Sequence, residues 1–114
     1  MRKNILENIT RFKKSAELVY SSEDYTSSTI LLFKTMFSIL DYIILIKKGA
    51  APKDHTERFR ILQREFPELY KILDKDFSVY RKTYFLSIDK ETCEKIKNDV
   101  EKIIKEHKIQ ISNK

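Results

Sequence analysis

The chain has 114 residues with one Gly, two Pro, one Cys and no Trp, a length that suits one compact domain and leaves little room for a second. Its hydrophobic fraction of 41% and charged fraction of 35% are typical of a soluble globular protein and exclude a disordered or collagen-like chain. The net charge of +6 favours phosphates or acidic partners without naming one. Phosphate-binding loops, dinucleotide turns and nucleophile elbows need several glycines, so Gly49 alone cannot build them.

The first predicted element is an amphipathic helix over residues 3–20. Its apolar positions recur at steps of four and three and are Ile5, Ile9, Phe12, Ala16 and Val19. Ser21 and Asp24 resemble a helix start, so we expect the second helix to begin near Glu23. The N-terminal segment lacks the apolar core of a signal peptide, and Cys93 cannot form an intramolecular disulfide. We therefore expect a cytoplasmic protein.

The second predicted helix contains the most apolar segment of the chain, residues 30–46, and ends in two lysines and Gly49, which suit a helix C-terminus. The segment contains Lys34 and Asp41 and is shorter than the roughly 20 apolar residues of a membrane span. We interpret it as a buried central helix, with no membrane partner. The apolar faces of this helix need at least two partners, which predicts a homodimer. Its narrow polar side consists of Lys34, Ser38, Asp41 and Lys48.

Two further helices are predicted on either side of Pro67. Asp54 and Glu57 form a capping-box pattern that opens a short helix reaching about Phe66. Pro67 ends this helix or restarts it, because the residue before a proline is disfavoured in the α region. The apolar face after Pro67 keeps its helical spacing as far as the bulky residues 84–86.

A last long helix is predicted after an N-cap at Ser87 or Asp89. Its apolar stripe has helical spacing and comprises Cys93, Ile96, Val100, Ile103 and His107. Ile111 is a further candidate at the end of the stripe. The sequence shows no strand-like alternation. It therefore predicts an all-α, up-and-down bundle of four to five helices in a single domain, residues 1–114.

Metal-dependent and nucleophilic catalysis find little support in the sequence. His55 and His107 are far apart, and no Glu-x-x-His pair exists, so we expect no metal site and no cofactor. Cys93 falls on an apolar stripe, which predicts a buried thiol and not a nucleophile. A helix-turn-helix DNA reader lacks its Gly-containing turn and its polar recognition residues.

One group of residues combines basic and aromatic side chains directly before a predicted helix break. It consists of Tyr80, Arg81, Lys82, Thr83 and Tyr84. Arg supplies a planar set of donors for a phosphate, and Tyr supplies a stacking face with a hydroxyl. The group therefore indicates a nucleotide or RNA site. In the alternative interpretation the two tyrosines pack into the core while Arg81 and Lys82 are solvated.

The layout of these segments resembles the HEPN domain family of prokaryotes over nearly the whole chain from about Ala16. The residues that carry the resemblance are Ser-Ser-Glu-Asp-Tyr before the second helix, the apolar run FKTMFSILDYIILIKKG, Asp54-His55, Arg81-x-x-Tyr84 and the closing amphipathic helix. The resemblance implies an all-α bundle, a homodimer and involvement with nucleotides or RNA. It also implies a minimal nucleotidyltransferase as a partner protein, in a toxin–antitoxin-type pair.

Members of this family that cleave RNA carry an Arg followed, after four to six residues, by a catalytic His. Arg81 matches the Arg, but residues 82–88 contain no His, and Tyr84, with an ordinary pKa near 10, is a poor substitute. We therefore predict a non-catalytic binding module. Asp41 lies where the family carries a polar residue facing the cleft. The predicted nucleotide- or phosphate-binding residues are Arg81, Lys82, Tyr84, Asp41 and His55.

Two alternatives to the binding module stay open on the sequence. One is a metal-independent ribonuclease with a non-standard active site, in which Arg81 acts with His55 or Tyr84. The other is a purely structural helical adaptor without a small ligand.

Overall fold

The computed structural model describes residues 2–111 and contains five α-helices, with no strand in that range. The helices are α1 (Arg2–Ser21), α2 (Tyr25–Lys48), α3 (His55–Glu65), α4 (Pro67–Lys82) and α5 (Lys90–Glu106). The all-α bundle predicted from the sequence is confirmed.

α2 is the central helix of the bundle. All four other helices contact it, α1 and α5 most extensively. Half of its residues are buried, and among its large apolar side chains only Ile46 is well exposed. The apolar surface from which a homodimer is predicted is thus covered by the chain itself. The homodimer stays a prediction, but the apolar surface of α2 no longer supports it.

Within residues 2–111, α2 is also the one helix that is long and apolar enough to cross a membrane, judged by length and composition. In its most apolar 18-residue window, 61% is buried inside the chain. A helix that is apolar nearly all the way round and covered by its neighbours is typical of a bundle core. The interpretation of this segment as a central helix agrees with its burial.

The turn between α1 and α2 differs from its predicted form. Asp24 is the N-cap of α2, and its side chain accepts the Ser27 N–H at 3.0 Å. Glu23 has a φ of 64°, a left-handed conformation that a helix cannot contain, so α2 begins at Tyr25, two residues after Glu23. Ser21 belongs to α1 and donates its hydroxyl to the Glu17 carbonyl at 3.1 Å, so its predicted role at the start of α2 is wrong.

The ends of α2, α3 and α4 follow the predicted signals. Gly49 has a φ of 84° and donates its N–H to the Leu45 carbonyl at 2.8 Å, which closes α2. Asp54 caps α3 by accepting the Glu57 N–H at 2.9 Å. Pro67 is the first residue of α4, where its missing N–H costs nothing. The chain therefore restarts a helix at Pro67.

The C-terminal part of the bundle differs from the predictions for residues 84–86, for His107 and for Ile111. α4 ends at Lys82, so residues 84–86 do not continue its apolar face. Asp89, and not Ser87, caps α5 and accepts a backbone N–H at 2.8 Å. His107 follows the end of α5 and is exposed, so its predicted place on the buried stripe is wrong. Ile111, the last candidate of the stripe, also lies beyond the end of α5 and is half-buried. The other residues of the stripe are buried as predicted and are Cys93, Ile96, Val100 and Ile103.

Candidate functional site

A surface cavity of about 260 Å³ lies where α2, α3 and α4 meet beside α1. Three residues of the predicted polar side of α2 line it, because positions 34, 38 and 41 share one face of a helix. α3 and α4 close the other sides. The polar and aromatic lining includes Lys34, Ser38, Asp41, His55, Arg58 and Tyr80.

Arg58 of α3 is the most constrained side chain of the cavity, with 7% of its surface exposed. Its Nε donates to Oδ1 of Asp41 at 2.7 Å and its Nη2 donates to Oδ2 at 2.9 Å. The Phe37 ring packs against the guanidinium, with 4.8 Å between Cζ and the ring centroid. A bidentate pair of this kind fixes the orientation of both groups. Asp41 therefore acts as the counter-ion of Arg58.

His55, the first residue of α3, is held by the same guanidinium. Nη1 of Arg58 is hydrogen-bonded to Nδ1 of His55, and because the nitrogens of arginine only donate, Nδ1 must accept. The imidazole is then neutral, with its proton on Nε2. Burial of the ring, and next the positive charge of Arg58, lower the pKa of His55. His55 is therefore a neutral N–H donor at physiological pH.

Aromatic rings surround the His55 imidazole. The ring centroids of Phe37, Phe77 and Tyr80 lie 4.7, 5.7 and 5.8 Å from it. The Tyr80 hydroxyl lies 3.0 Å from the Tyr84 hydroxyl, and this hydrogen bond raises the pKa of Tyr80. Tyr80 consequently keeps its proton. Because Tyr80 lines the cavity, the same hydrogen bond places Tyr84 at the edge of the cavity.

Lys34 provides the uncompensated charge of the site. Its side chain is exposed and makes no hydrogen bond or ion pair with any residue in the range 2–111. Asp41 neutralises Arg58, and His55 is neutral. The cavity therefore carries about one net positive charge, which favours an anionic ligand.

The structure brings together part of the predicted site. Asp41 and His55 line the cavity, and Tyr84 borders it through its hydrogen bond to the neighbouring tyrosine. Arg81 and Lys82 are exposed on the last turn of α4 and do not line the cavity. The Arg81 guanidinium instead lies over a ring of α4, with its Cζ 5.8 Å from the ring centroid.

Arg58, the residue that connects Asp41 to His55, is absent from the site predicted from the sequence. Two signals could have indicated it. His55 and Arg58 are three residues apart, which places them on one face of a helix. Asp41 is the one carboxylate of a mostly apolar helix, and a carboxylate in such surroundings needs a paired cation.

No group of three or more His, Cys, Asp or Glu side chains within residues 2–111 is placed to hold a metal ion. Comparison of the chain with models of known protein families, with curated proteins and with solved structures finds no match. The site is therefore interpreted from its own geometry, and the HEPN resemblance stays a prediction.

Proposed function

We propose that this chain is a non-catalytic, HEPN-like helical module that binds the phosphate group of a nucleotide in the cavity beside Arg58. The observation that carries this proposal is the set of donors that the cavity presents. They belong to three side chains that line the cavity, Lys34, His55 and Arg58. The three hydrogen bonds of Arg58 leave two of its N–H groups over.

A phosphate accepts hydrogen bonds and carries negative charge, so it requires donors and positive charge together. Among the described residues, Asp41 is the only carboxylate that lines the cavity, and both of its oxygens accept bonds from Arg58. This pairing removes the repulsion that a free carboxylate would exert on an anion. The arrangement thus supports anion binding more strongly than the composition of the chain does.

The same geometry argues against the ribonuclease alternative. A general base needs an available lone pair, but Nδ1 of His55 accepts a bond from Arg58 and Nε2 carries the proton. A general acid needs a protonated imidazole, and the lowered pKa of His55 disfavours that form. Arg81, the arginine of that alternative, does not line the cavity.

Three further parts of the proposal rest on the sequence and not on the cavity, and the nucleotidyltransferase partner rests on the HEPN resemblance alone. The module forms a homodimer, acts in the cytoplasm, and works beside a minimal nucleotidyltransferase in a toxin–antitoxin-type pair. Its ligand is a nucleotide or the end of an RNA. A structural adaptor, by contrast, would have no use for a cavity of unpaired donors.

Calorimetric titration with AMP and with inorganic pyrophosphate tests the proposed site. Lys34→Gln should lower the affinity for both ligands about tenfold or more, because hydrogen bonds to charged groups contribute about 1.5–3 kcal/mol. Lys47→Gln is the matched control, since Lys47 is exposed on the same helix and does not line the cavity. It should leave both affinities unchanged.

Two results would reject the proposed function. Failure of the wild type to bind either ligand would favour the structural adaptor. Cleavage of single-stranded RNA by the wild type, abolished in His55→Ala, would establish the ribonuclease.

A further inference from the structure

The turn after α4 exposes three large apolar side chains in succession. Tyr84, Phe85 and Leu86 have 68%, 85% and 59% of their surface exposed. Within residues 2–111 only two other large apolar residues are exposed, and both lie on other helices. A contiguous apolar patch of this kind commonly marks an interaction surface in a soluble protein.

This turn adjoins the cavity. The Tyr84 hydroxyl bonds to that of Tyr80, which lines the cavity. The ring centroids of Tyr80 and Tyr84 are 5.6 Å apart, and those of Tyr84 and Phe85 are 6.4 Å apart. A continuous row of rings therefore leads from His55 out to Phe85.

Positive charge accompanies the exposed rings. Arg81 and Lys82 are exposed on the last turn of α4. The N–H groups of Phe85 and Leu86 both donate to the Lys82 carbonyl, at 3.0 and 2.8 Å, which ties the turn to the end of the helix. The two cations thus directly precede the exposed rings in the chain, and we name residues 81–86 the aromatic turn.

We propose that the aromatic turn is a stacking platform for a single-stranded nucleic acid that enters the cavity with one of its phosphates. This inference rests on the proposed function and extends its ligand from a nucleotide to a strand. The faces of Tyr84 and Phe85 stack unpaired bases, while Arg81 and Lys82 contact the backbone. Aromatic rings beside cations bind single strands with little sequence preference.

The charge of the surface favours this occupant over a second copy of the chain. Two copies meeting at the aromatic turn would bring Arg81 and Lys82 against their own equivalents. A polyanion neutralises the same cations and still covers the exposed rings.

Calorimetric titration with a single-stranded oligoadenylate of about ten nucleotides, a length within the usual site sizes, tests the inference. Inorganic pyrophosphate serves as the probe of the cavity alone. Phe85→Ser should lower the affinity for the oligonucleotide by a factor of about five to a hundred. It should leave the affinity for pyrophosphate unchanged. Leu18→Ser is the matched control, because Leu18 is another well exposed apolar residue, on α1, and it should change neither affinity.

The outcomes separate this inference from the proposed function. The platform is refuted, and the phosphate site stands, if the wild type binds the oligonucleotide no more tightly than pyrophosphate. The same holds if Phe85→Ser binds the oligonucleotide with the affinity of the wild type. If neither probe binds, both proposals fail. If Phe85→Ser converts a dimer into a monomer without changing oligonucleotide affinity, the aromatic turn is an interface between copies and the platform is refuted.

Discussion

Replacement of Asp76 with Asn should stabilise the protein at neutral pH. Asp76 of α4 is 4% exposed, and burial together with a hydrogen bond to Asp99 of α5 raises the pKa of its carboxyl to about 8. As a carboxylate it would leave a buried Oδ2 without a partner in the described part of the chain. Protonated, it can donate to Asp99, whose negative charge pairs with the Lys75 ammonium at 3.3 Å.

The magnitude follows from the difference between the folded and unfolded states. An ordinary Asp releases its proton near pH 3.8, so between about pH 4 and pH 8 folded Asp76 holds a proton that the unfolded chain has lost. The free energy of unfolding then falls by about 1.4 kcal/mol for each pH unit in this window. Stability present in acid is thus lost as the pH rises through the folded pKa. Between about pH 5 and pH 7 this amounts to about 3 kcal/mol.

Asp76→Asn should escape this loss, because an amide donates to Asp99 without needing a proton. Urea denaturation followed by circular dichroism between pH 5 and pH 8 measures the difference. Asp74→Asn, an exposed position on the same helix, should show the pH dependence of the wild type. Lys75 and Lys95 line the same crevice as Asp76. If the free energy of unfolding depends on pH in the same way in the wild type and in Asp76→Asn, folded Asp76 does not hold a proton in this range.

Three other outcomes are expected. Asp41→Ala should lower the free energy of unfolding by about 3 kcal/mol, because Arg58 would stay buried without a counter-ion; a loss below about 1 kcal/mol in urea denaturation would contradict this. Gly49→Ala should cost about 1 kcal/mol through its positive φ alone, since an added Cβ meets no atom within 4 Å, and an unchanged urea midpoint would argue against it. The homodimer predicted from the sequence should sediment at about twice the chain mass of 13.7 kDa, whereas a monomer at micromolar concentration would exclude it.

Local signals predicted the helices well. Asp54, Pro67 and Asp89 act through the backbone of neighbouring residues, so a short stretch of sequence contains the information that sets those helix ends. The polar face of α2 was also predictable, because residues 34, 38 and 41 follow from helical spacing. The sequence could therefore place part of the site on one helix.

The remaining features depend on contacts between distant segments. Arg58 and Asp41 lie on different helices, seventeen residues apart, so no periodic pattern joins them. Asp76 lies three residues after the buried Leu73 on the inner face of α4, yet its burial depends on the packing of α5. Residues 84–86 have the composition of a core segment but are exposed, because α4 ends before them.

Nitrogen NMR of the two imidazole side chains during titration with pyrophosphate would decide whether the cavity is an anion site built from donors. His107, exposed at the end of α5, serves as the internal reference. At about pH 7 we predict that Nε2 of His55 is protonated and Nδ1 is not, and that the Nε2 resonance shifts on binding while the resonances of His107 do not. An unprotonated Nε2, or a His55 resonance that does not shift at saturating pyrophosphate, would contradict the proposed site.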